Sequence, residues 1–237
     1  MFQHFFLASA FEKKKNATPE SAKILMQALG FDPITEFPDV FPTTKLTELP
    51  LLRHINYEIN IIEEEVHQRM KPRCFKPCEA FMKQLQEKIA AELKTERIYQ
   101  VTDSSACNLF ITGKIDKPDE VRFLHDLVDC NKNTYPNKTT IPDIPSIKRT
   151  IAQHPYRSKI DLTNAFHEVR IKPEHEKYTS FTTPFETFQI RVMQQGDCNA
   201  PATMMNVMHD IFQDMLELML FIYLDDILNV SMTLEEY

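Results

Sequence analysis

The chain has 237 residues, of which 43% are hydrophobic, and its formal net charge at pH 7 is −7. This length and hydrophobic fraction allow a sizeable core in one large domain or two small lobes, and they exclude disorder by composition. Its three glycines, Gly30, Gly113 and Gly196, exclude both the G-x-G-x-x-G dinucleotide loop and the G-x-x-x-x-G-K-[ST] phosphate loop. The acidic excess lies wholly in residues 101–237, although a protein that binds nucleic acid by bulk charge is normally basic.

The five cysteines are irregularly spaced, which predicts reduced thiols in an intracellular protein, cytoplasmic or nuclear. Cys74 and Cys78 form C-x-x-x-C, but no second pair follows at zinc-finger spacing, so structural thiols are the simpler interpretation. No stretch approaches the length of a membrane span, and we expect no membrane partner.

In the first half of the chain, residues 1–36 are predicted to be a helical lead-in, with a helix at 21–29. Residues 37–50 form a proline-rich connector, and residues 54–62 have the character of a strand. Residues 77–96 predict an amphipathic helix, because apolar side chains recur every four residues. Two strands, at 106–112 and 120–128, then predict a hairpin that carries three basic residues: Lys114, Lys117 and Arg122.

In the second half, residues 146–152 predict a short helix with Ser146 as its N-cap, and residues 156–162 a strand that ends near Asp161. Further strands are expected at 169–171, 178–183 and 187–192. After a loop at 196–201, residues 203–219 predict a helix with one heavily apolar face.

The stretch Phe221–Leu228 predicts a buried hairpin that presents Asp225 and Asp226 at its tip. Two unpaired carboxylates are costly beside apolar strands, which favours a bound cation, although Asp-Asp is also an ordinary turn pair. The preceding helix can bring this tip beside Asp161.

Four segments in order resemble the successive motifs of a reverse transcriptase, most closely the gypsy-type LTR retrotransposon polymerase of the lineage found in fungi. They are SKIDL through Phe166-His167, YTSFT, MQQGDCNAPAT and YLDD, within residues 158–226. The match is dense from about 146 to 237 and weaker back to residue 37. Four motifs in the right order are far more specific than any one of them.

The resemblance implies an α+β right-hand polymerase core with a palm, formed by an antiparallel sheet backed by helices, and fingers. A helical lead-in at 1–36 and a connector at 37–73 precede it. Fingers are expected at 74–136 and 169–199, and palm at 137–168 and 200–237. The thumb, RNase H and integrase regions of the family are expected to be absent, as in a fragment or a truncated copy.

The implied activity is template-directed transfer of deoxynucleotides (dNTPs) to a primer 3′-hydroxyl on RNA or DNA, using two Mg²⁺ ions, with Mn²⁺ as a substitute. By resemblance, Asp161, Asp225 and Asp226 are the catalytic metal ligands. Phe166 lies where the family packs an aromatic residue under the deoxyribose. Gln195 and Gly196 match the segment that lies against nucleotide and template.

Arg122 and Lys114 match the fingers residues that hold the triphosphate, and Lys117 competes with Lys114 for that role. The sequence departs from the family at Val128, Glu186, Met204-Met205 and Asn229. With the acidic balance, these departures favour an alternative function, a catalytically inactive remnant that binds nucleic acid.

Overall fold

The computed structural model describes residues 48–72, 78–102, 105–114, 117–139, 142–162, 164–216 and 219–233. The predicted helix at 21–29, the lead-in around it and most of the connector lie outside these residues. Two compact units are present. Unit I contains Thr139–Ala165 and Met204–Tyr237, and unit II contains Thr47–Lys138 and Phe166–Thr203.

Helices and antiparallel sheets make up both units, which confirms the predicted α+β class. The helices are α1 (Glu64–Gln68), α2 (Glu79–Lys94), α3 (Val128–Lys132), α4 (Ile144–Gln153) and α5 (Ala200–Phe212), with 3₁₀ turns at Ala165–Glu168 and Pro173–Thr179. The strands are β1 (Ile98–Val101), β2 (Leu109–Lys114), β3 (Lys117–His125), β4 (Tyr156–Asp161), β5 (Phe181–Thr182), β6 (Thr187–Ile190), β7 (Leu220–Tyr223) and β8 (Asp226–Ser231). Their sheets have the orders β1-β6-β5, β2-β3 and β4-β8-β7.

Unit II has a core built from α2, the β2–β3 hairpin and the β1-β6-β5 sheet. Helix α2 confirms the amphipathic pattern, but the apolar side chains on its inner face are buried to different degrees. Leu85 is 1% exposed and Ile89 packs against the core, whereas Leu93 is 40% exposed. The buried residues of this core are Leu85, Ile98, Cys107, Leu109, Leu127, Phe181, Phe188, Ile190 and Val192.

The strand predicted at 54–62 is wrong, because this segment pairs with two separate parts of the chain, one residue at a time. Tyr57 forms an isolated parallel bridge with Ile171, and Ile61 forms an antiparallel bridge with Thr134. Backbone hydrogen bonds join the segment to both of these parts, but within the described residues no partner follows it far enough to make a ladder.

Other boundaries also differ from the prediction, among them those of β2 and β3, which were predicted at 106–112 and 120–128. The N-cap of α4 is Asp143, whose Oδ2 accepts from Ser146 N at 2.9 Å, so Ser146 lies inside the helix. Residues 178–179 end a 3₁₀ turn, where the Thr179 hydroxyl bonds to the backbone of Ile190 and takes the place of a strand pair. Helix α5 ends at Phe212, seven residues before the predicted end.

Within the described part of the chain, no helix is both long and apolar enough to cross a membrane. The four cysteines described there, Cys78, Cys107, Cys130 and Cys198, are all free thiols. Burial raises the pKa of Cys107 and of Cys130 to about 12, so both thiols stay protonated at neutral pH.

Candidate active site

Asp225 and Asp226 lie at the end of the β7–β8 hairpin in unit I. Tyr223 pairs with Asp226, so Leu224 and Asp225 form a two-residue turn between the strands. Both aspartates are half-buried, while Ile227 beside them is 2% exposed. The predicted hairpin and the position of the two residues at its tip are therefore confirmed.

The turn has an unusual backbone at Leu224, whose φ is 58°. A positive φ at the first residue alone is the pattern of a type II′ turn, a position that favours glycine. Leu224 N donates to Sδ of Met205, a fully buried side chain of α5, at 3.3 Å. This bond ties the turn to the helix and helps to hold a conformation that costs a leucine about 1–2 kcal/mol.

Strand β4 brings Asp161 to the same place. Its register with β8 sets the Asp161 backbone directly opposite Asp226, and Leu162 N donates to the carbonyl of Asp225 at 3.1 Å. The backbones of the three aspartates identified from the sequence therefore lie close together in space, although Asp161 is far from the other two in sequence. The side chain of Asp161 is not among those described.

Lys159, on the same strand, bonds to one of these carboxylates. Its Nζ lies 2.6 Å from Oδ2 of Asp226, and both side chains are about one-third exposed. The ion pair offsets part of the negative charge at the hairpin. It also occupies an oxygen that a bound cation would use.

The donors at the hairpin suit a hard cation, because Asp225 and Asp226 offer carboxylate oxygens, the ligands that Mg²⁺ prefers. Among the side chains that the structure describes, which exclude that of Asp161, no three His, Cys, Asp or Glu residues converge on a metal site. Two carboxylates from one hairpin, with a third aspartate on the paired strand, fit a divalent ion that keeps some of its water ligands.

The residues that were predicted to bind nucleotide lie in unit II. Phe166 is in the 3₁₀ turn Ala165–Glu168 and is 6% exposed. Gln195 and Gly196 are exposed at the tip of a tight turn. Across the base of that turn, Gln194 N donates to Oδ2 of Asp197 at 2.9 Å and Asp197 N donates to the Gln194 carbonyl at 3.1 Å.

Arg122 and Lys114 lie on the β2–β3 hairpin. Arg122 is exposed and pairs with Thr112, while Lys114 pairs with Lys117 at a register shift. The side chains of both lysines are outside the description, so the choice between them stays open.

Comparison with known proteins gives the family. Residues 114–237, just over half of the chain, match the profile of the family described as reverse transcriptase (RNA-dependent DNA polymerase). The chain belongs to the reverse transcriptase family.

Its curated relatives are polyproteins of mobile elements and viruses. The Tf2-3 transposon polyprotein of Schizosaccharomyces pombe is 26% identical over 85% of this chain and 15% of its own length. The Pol polyprotein of transposon 297 from Drosophila melanogaster is 31% identical over 51% of the chain and 12% of its own length. A putative enzymatic polyprotein of Cassava vein mosaic virus is also 31% identical, over 51% of the chain and 18% of its own length. This reverse transcriptase chain spans less than a fifth of each.

Solved structures of reverse transcriptases share the fold. The foamy viral protease-reverse transcriptase in complex with an RNA/DNA hybrid superposes with a TM-score of 0.72 at 22% identity, over 93% of this chain and 28% of the other. A mutant of the prototype foamy virus enzyme gives a TM-score of 0.71 at 22% identity, over 94% of this chain and 28% of the other. At this identity the likeness establishes the fold alone.

One feature of this reverse transcriptase chain was not expected from the sequence: Asp197 is buried. Its residue is 7% exposed, and burial raises the pKa of its carboxyl group to about 7, although the bond from Gln194 N acts to lower the pKa. The sequence offered no signal for this, since Gly-Asp-Cys-Asn reads as an exposed loop. The sequence also offered no signal for Asn131, whose side chain bonds to the same turn, because this residue is far from the turn in sequence.

We expect Asp197→Asn to remove a pH dependence of stability. Because the pKa of Asp197 is higher in the folded chain than in the unfolded chain, the folded state holds the extra proton, and stability falls as pH rises toward 7. The variant lacks this loss. Its free energy of unfolding, relative to that of the unaltered chain, should therefore be about 2 kcal/mol higher at pH 7 than at pH 5. Urea unfolding at both pH values measures it, with the exposed Asp129→Asn as the control. An equal difference at both pH values would show that Asp197 does not titrate in this range.

Proposed function

We propose that this chain supplies the palm and fingers of a reverse transcriptase from a gypsy-type LTR retrotransposon of the fungal lineage. Unit I would be the palm, corresponding to the segments at 137–168 and 200–237, and unit II would contain the fingers, corresponding to 74–136 and 169–199. The Schizosaccharomyces pombe relative, a transposon polyprotein that aligns with 85% of the chain, supports this lineage.

One observation carries the proposal: Asp161 pairs with Asp226, and Asp225 lies in the turn beside them. Nucleotidyl transfer requires anionic oxygens from separate strands at one point, because two metal ions must contact both the attacking and the leaving oxygen. A hairpin tip that is bonded to a neighbouring strand end provides this convergence. The rigid backbone of the paired strands would hold the ligands in place.

In the proposed reaction, the primer 3′-hydroxyl loses its proton to solvent and attacks the α-phosphate of a dNTP. The new phosphodiester bond forms as the bond between the α- and β-phosphates breaks, and pyrophosphate leaves. Asp161, Asp225 and Asp226 would hold Mg²⁺, or Mn²⁺ in its place, and the bound ions would stabilise the charge that develops on the phosphate oxygens. Phe166 would pack beneath the deoxyribose and disfavour a 2′-hydroxyl.

The other predicted contacts would position the substrates. Arg122, with Lys114 or Lys117, would bind the triphosphate, because guanidinium and ammonium groups donate to phosphate oxygens. Gln195 and Gly196, exposed at their turn, would lie against the nucleotide and the template base. The primed RNA or DNA template and further regions of a longer polyprotein are the proposed partners.

Template-directed incorporation by the chain tests the proposal. We expect the folded chain with Mg²⁺ to extend oligo(dT) on poly(rA) with dTTP, and to incorporate no dGTP on the same template. A metal chelator should stop the reaction. If folded protein incorporates no dTTP, present activity is disproved for this chain.

The second candidate function is a catalytically inactive remnant that binds nucleic acid. The Lys159–Asp226 ion pair favours it, because this lysine already neutralises one of the carboxylates. Binding of the primed template without Mg²⁺, and without incorporation, is the result that would select this function.

The same ion pair leads to a prediction about Mg²⁺. Lys159→Ala should lower the Mg²⁺ concentration for half-maximal incorporation by about two- to fivefold, because a partly exposed ion pair that competes for Asp226 is worth up to about 1 kcal/mol. A Mg²⁺ titration of primer extension measures it. Arg157→Ala removes an exposed cation from the same strand and is the control. A higher Mg²⁺ requirement in the Lys159 variant would mean that the lysine supports the site.

A further inference from the structure

In unit II, three asparagine side chains each bond to the backbone of another segment, and all three use the same arrangement. In each case the side-chain amide donates to a backbone carbonyl and accepts from a backbone N–H of the same segment. Asn133 bonds in this way to the carbonyl and the N–H of Glu63, at 2.7 and 3.0 Å. Asn199 bonds to the carbonyl of Tyr135 and the N–H of Asn137, both at 2.8 Å.

Asn131 makes the same pair of bonds to the turn that carries Gln195 and Gly196. Its Nδ2 donates to the Gly196 carbonyl and its Oδ1 accepts from Cys198 N, both at 2.9 Å. Asn131 is in α3, the short helix that begins just after Leu127, a residue of the unit II core. The exposed turn is therefore bonded to a helix that begins at this core.

The close approach of the turn to α3 has a second sign. A Cβ atom at Gly196 would lie 3.3 Å from Cδ1 of Leu127, a contact tighter than most. The turn is also closed across its base by the bonds between Gln194 and Asp197. Asn131 joins the Gly196 and Cys198 backbone to α3 by two hydrogen bonds, which restrain the orientation of the Gly196 peptide.

Burial separates Asn131 from its two counterparts. Asn133 is 5% exposed and Asn199 is 1% exposed, whereas Asn131 and its bonds are partly open to water. Loss of a solvent-accessible hydrogen bond costs less stability than loss that leaves buried partners unsatisfied. Asn131 can therefore be changed with a smaller effect on folding than Asn133.

We propose that Asn131 is a positioning residue, which fixes the Gln195–Gly196 turn in the orientation that receives the incoming nucleotide. The inference rests on the proposed polymerase function for its consequence, but the structural part concerns the turn alone. Asn131 itself touches neither nucleotide nor metal on this proposal.

The structural part is tested by hydrogen exchange at single amides. Asn131→Ala should speed exchange of the Cys198 amide by roughly tenfold, because its acceptor is removed, and should leave the Glu63 amide unchanged. Asn133→Ala is the matched control and should show the reverse pattern. Unchanged exchange at Cys198 in Asn131→Ala would overturn the inference.

The functional part is tested by steady-state primer extension. Asn131→Ala should raise KM for dTTP by roughly tenfold, the effect of a misplaced binding group, with kcat within about twofold. Asn131→Asp, which can accept from Cys198 N but cannot donate to Gly196, should raise KM by less than the alanine variant. An equal rise in KM in Asn133→Ala would overturn the positioning role, since it would indicate general loosening of unit II. If the unaltered chain incorporates nothing, the proposed function fails, and the exchange result alone decides whether Asn131 sets the turn.

Discussion

Asp225→Asn is expected to reduce templated incorporation by on the order of 10²- to 10⁴-fold, because the stabilisation that a metal gives to a phosphoryl transition state is worth several kcal/mol. The amide keeps the size of the carboxylate but loses its charge, and an amide is a poor ligand when two cations must be held. The carbonyl of Asp225, which accepts from Leu162 N, is unaffected by the change. Single-turnover primer extension with saturating dTTP measures the effect on the chemical step.

Two further variants serve as a control and a comparison for Asp225→Asn. Asp214→Asn makes the same change in charge at an exposed residue of unit I and should leave incorporation unaltered. Asp226→Asn should have a smaller effect than Asp225→Asn, because Asp226 is proposed as the supporting carboxylate and already shares one oxygen with Lys159. Activity that persists in Asp225→Asn would remove this residue from the mechanism.

Glu168→Ala is expected to destabilise the chain by about 3–5 kcal/mol, because it leaves the guanidinium of Arg97 buried without its counter-ion. The two side chains are 12% and 10% exposed, and Arg97 Nη2 lies 2.9 Å from Glu168 Oε1. Arg97 also donates to the carbonyl of His167 at 2.8 Å, so the pair fixes the 3₁₀ turn that contains Phe166. Thermal unfolding should show a fall in Tm of about 10 °C for a chain of this size.

The chain supplies a matched control on its surface. Arg69 and Glu65 form the same type of ion pair at 3.1 Å, but their side chains are 77% and 82% exposed. Glu65→Ala should therefore cost less than about 1 kcal/mol. A double change, Arg97→Met with Glu168→Leu, should recover most of the stability, because it removes the buried charge together with its partner. Equal losses from Glu65→Ala and Glu168→Ala would contradict the role of burial.

The elements that follow from local sequence were predicted correctly. The α2 helix, the β2–β3 hairpin and the β7–β8 hairpin each depend on side-chain periodicity or on a short turn, and both signals lie within a few consecutive residues. The three aspartates were found by motif order, and the structure places their backbones side by side. Their catalytic role stays a prediction.

The features that depend on distant partners could not be predicted. Residues 54–62 have the composition of a strand, but a ladder also needs a continuous partner from elsewhere in the chain, and this segment meets only single residues of two separate segments. Asp143 and Ser146 are both good caps, and only the backbone decides which of them accepts the bond. Asn131 and Asp197 look like ordinary loop residues until the fold brings α3 and the turn together.

The route of the chain between the two units has a consequence for biosynthesis. Strand β4 of unit I is followed by Phe166–Thr203, which belongs to unit II, and its hydrogen-bonding partner β8 comes later still. During translation, strand β4, which ends at Asp161, therefore leaves the ribosome before its partner and stays unpaired until Asp226–Ser231 has been made. Because non-local strand pairs form slowly and unpaired edges promote aggregation, this interval is the vulnerable period of folding. A product that terminates before β8 would contain Asp161 but could never place it beside Asp225 and Asp226.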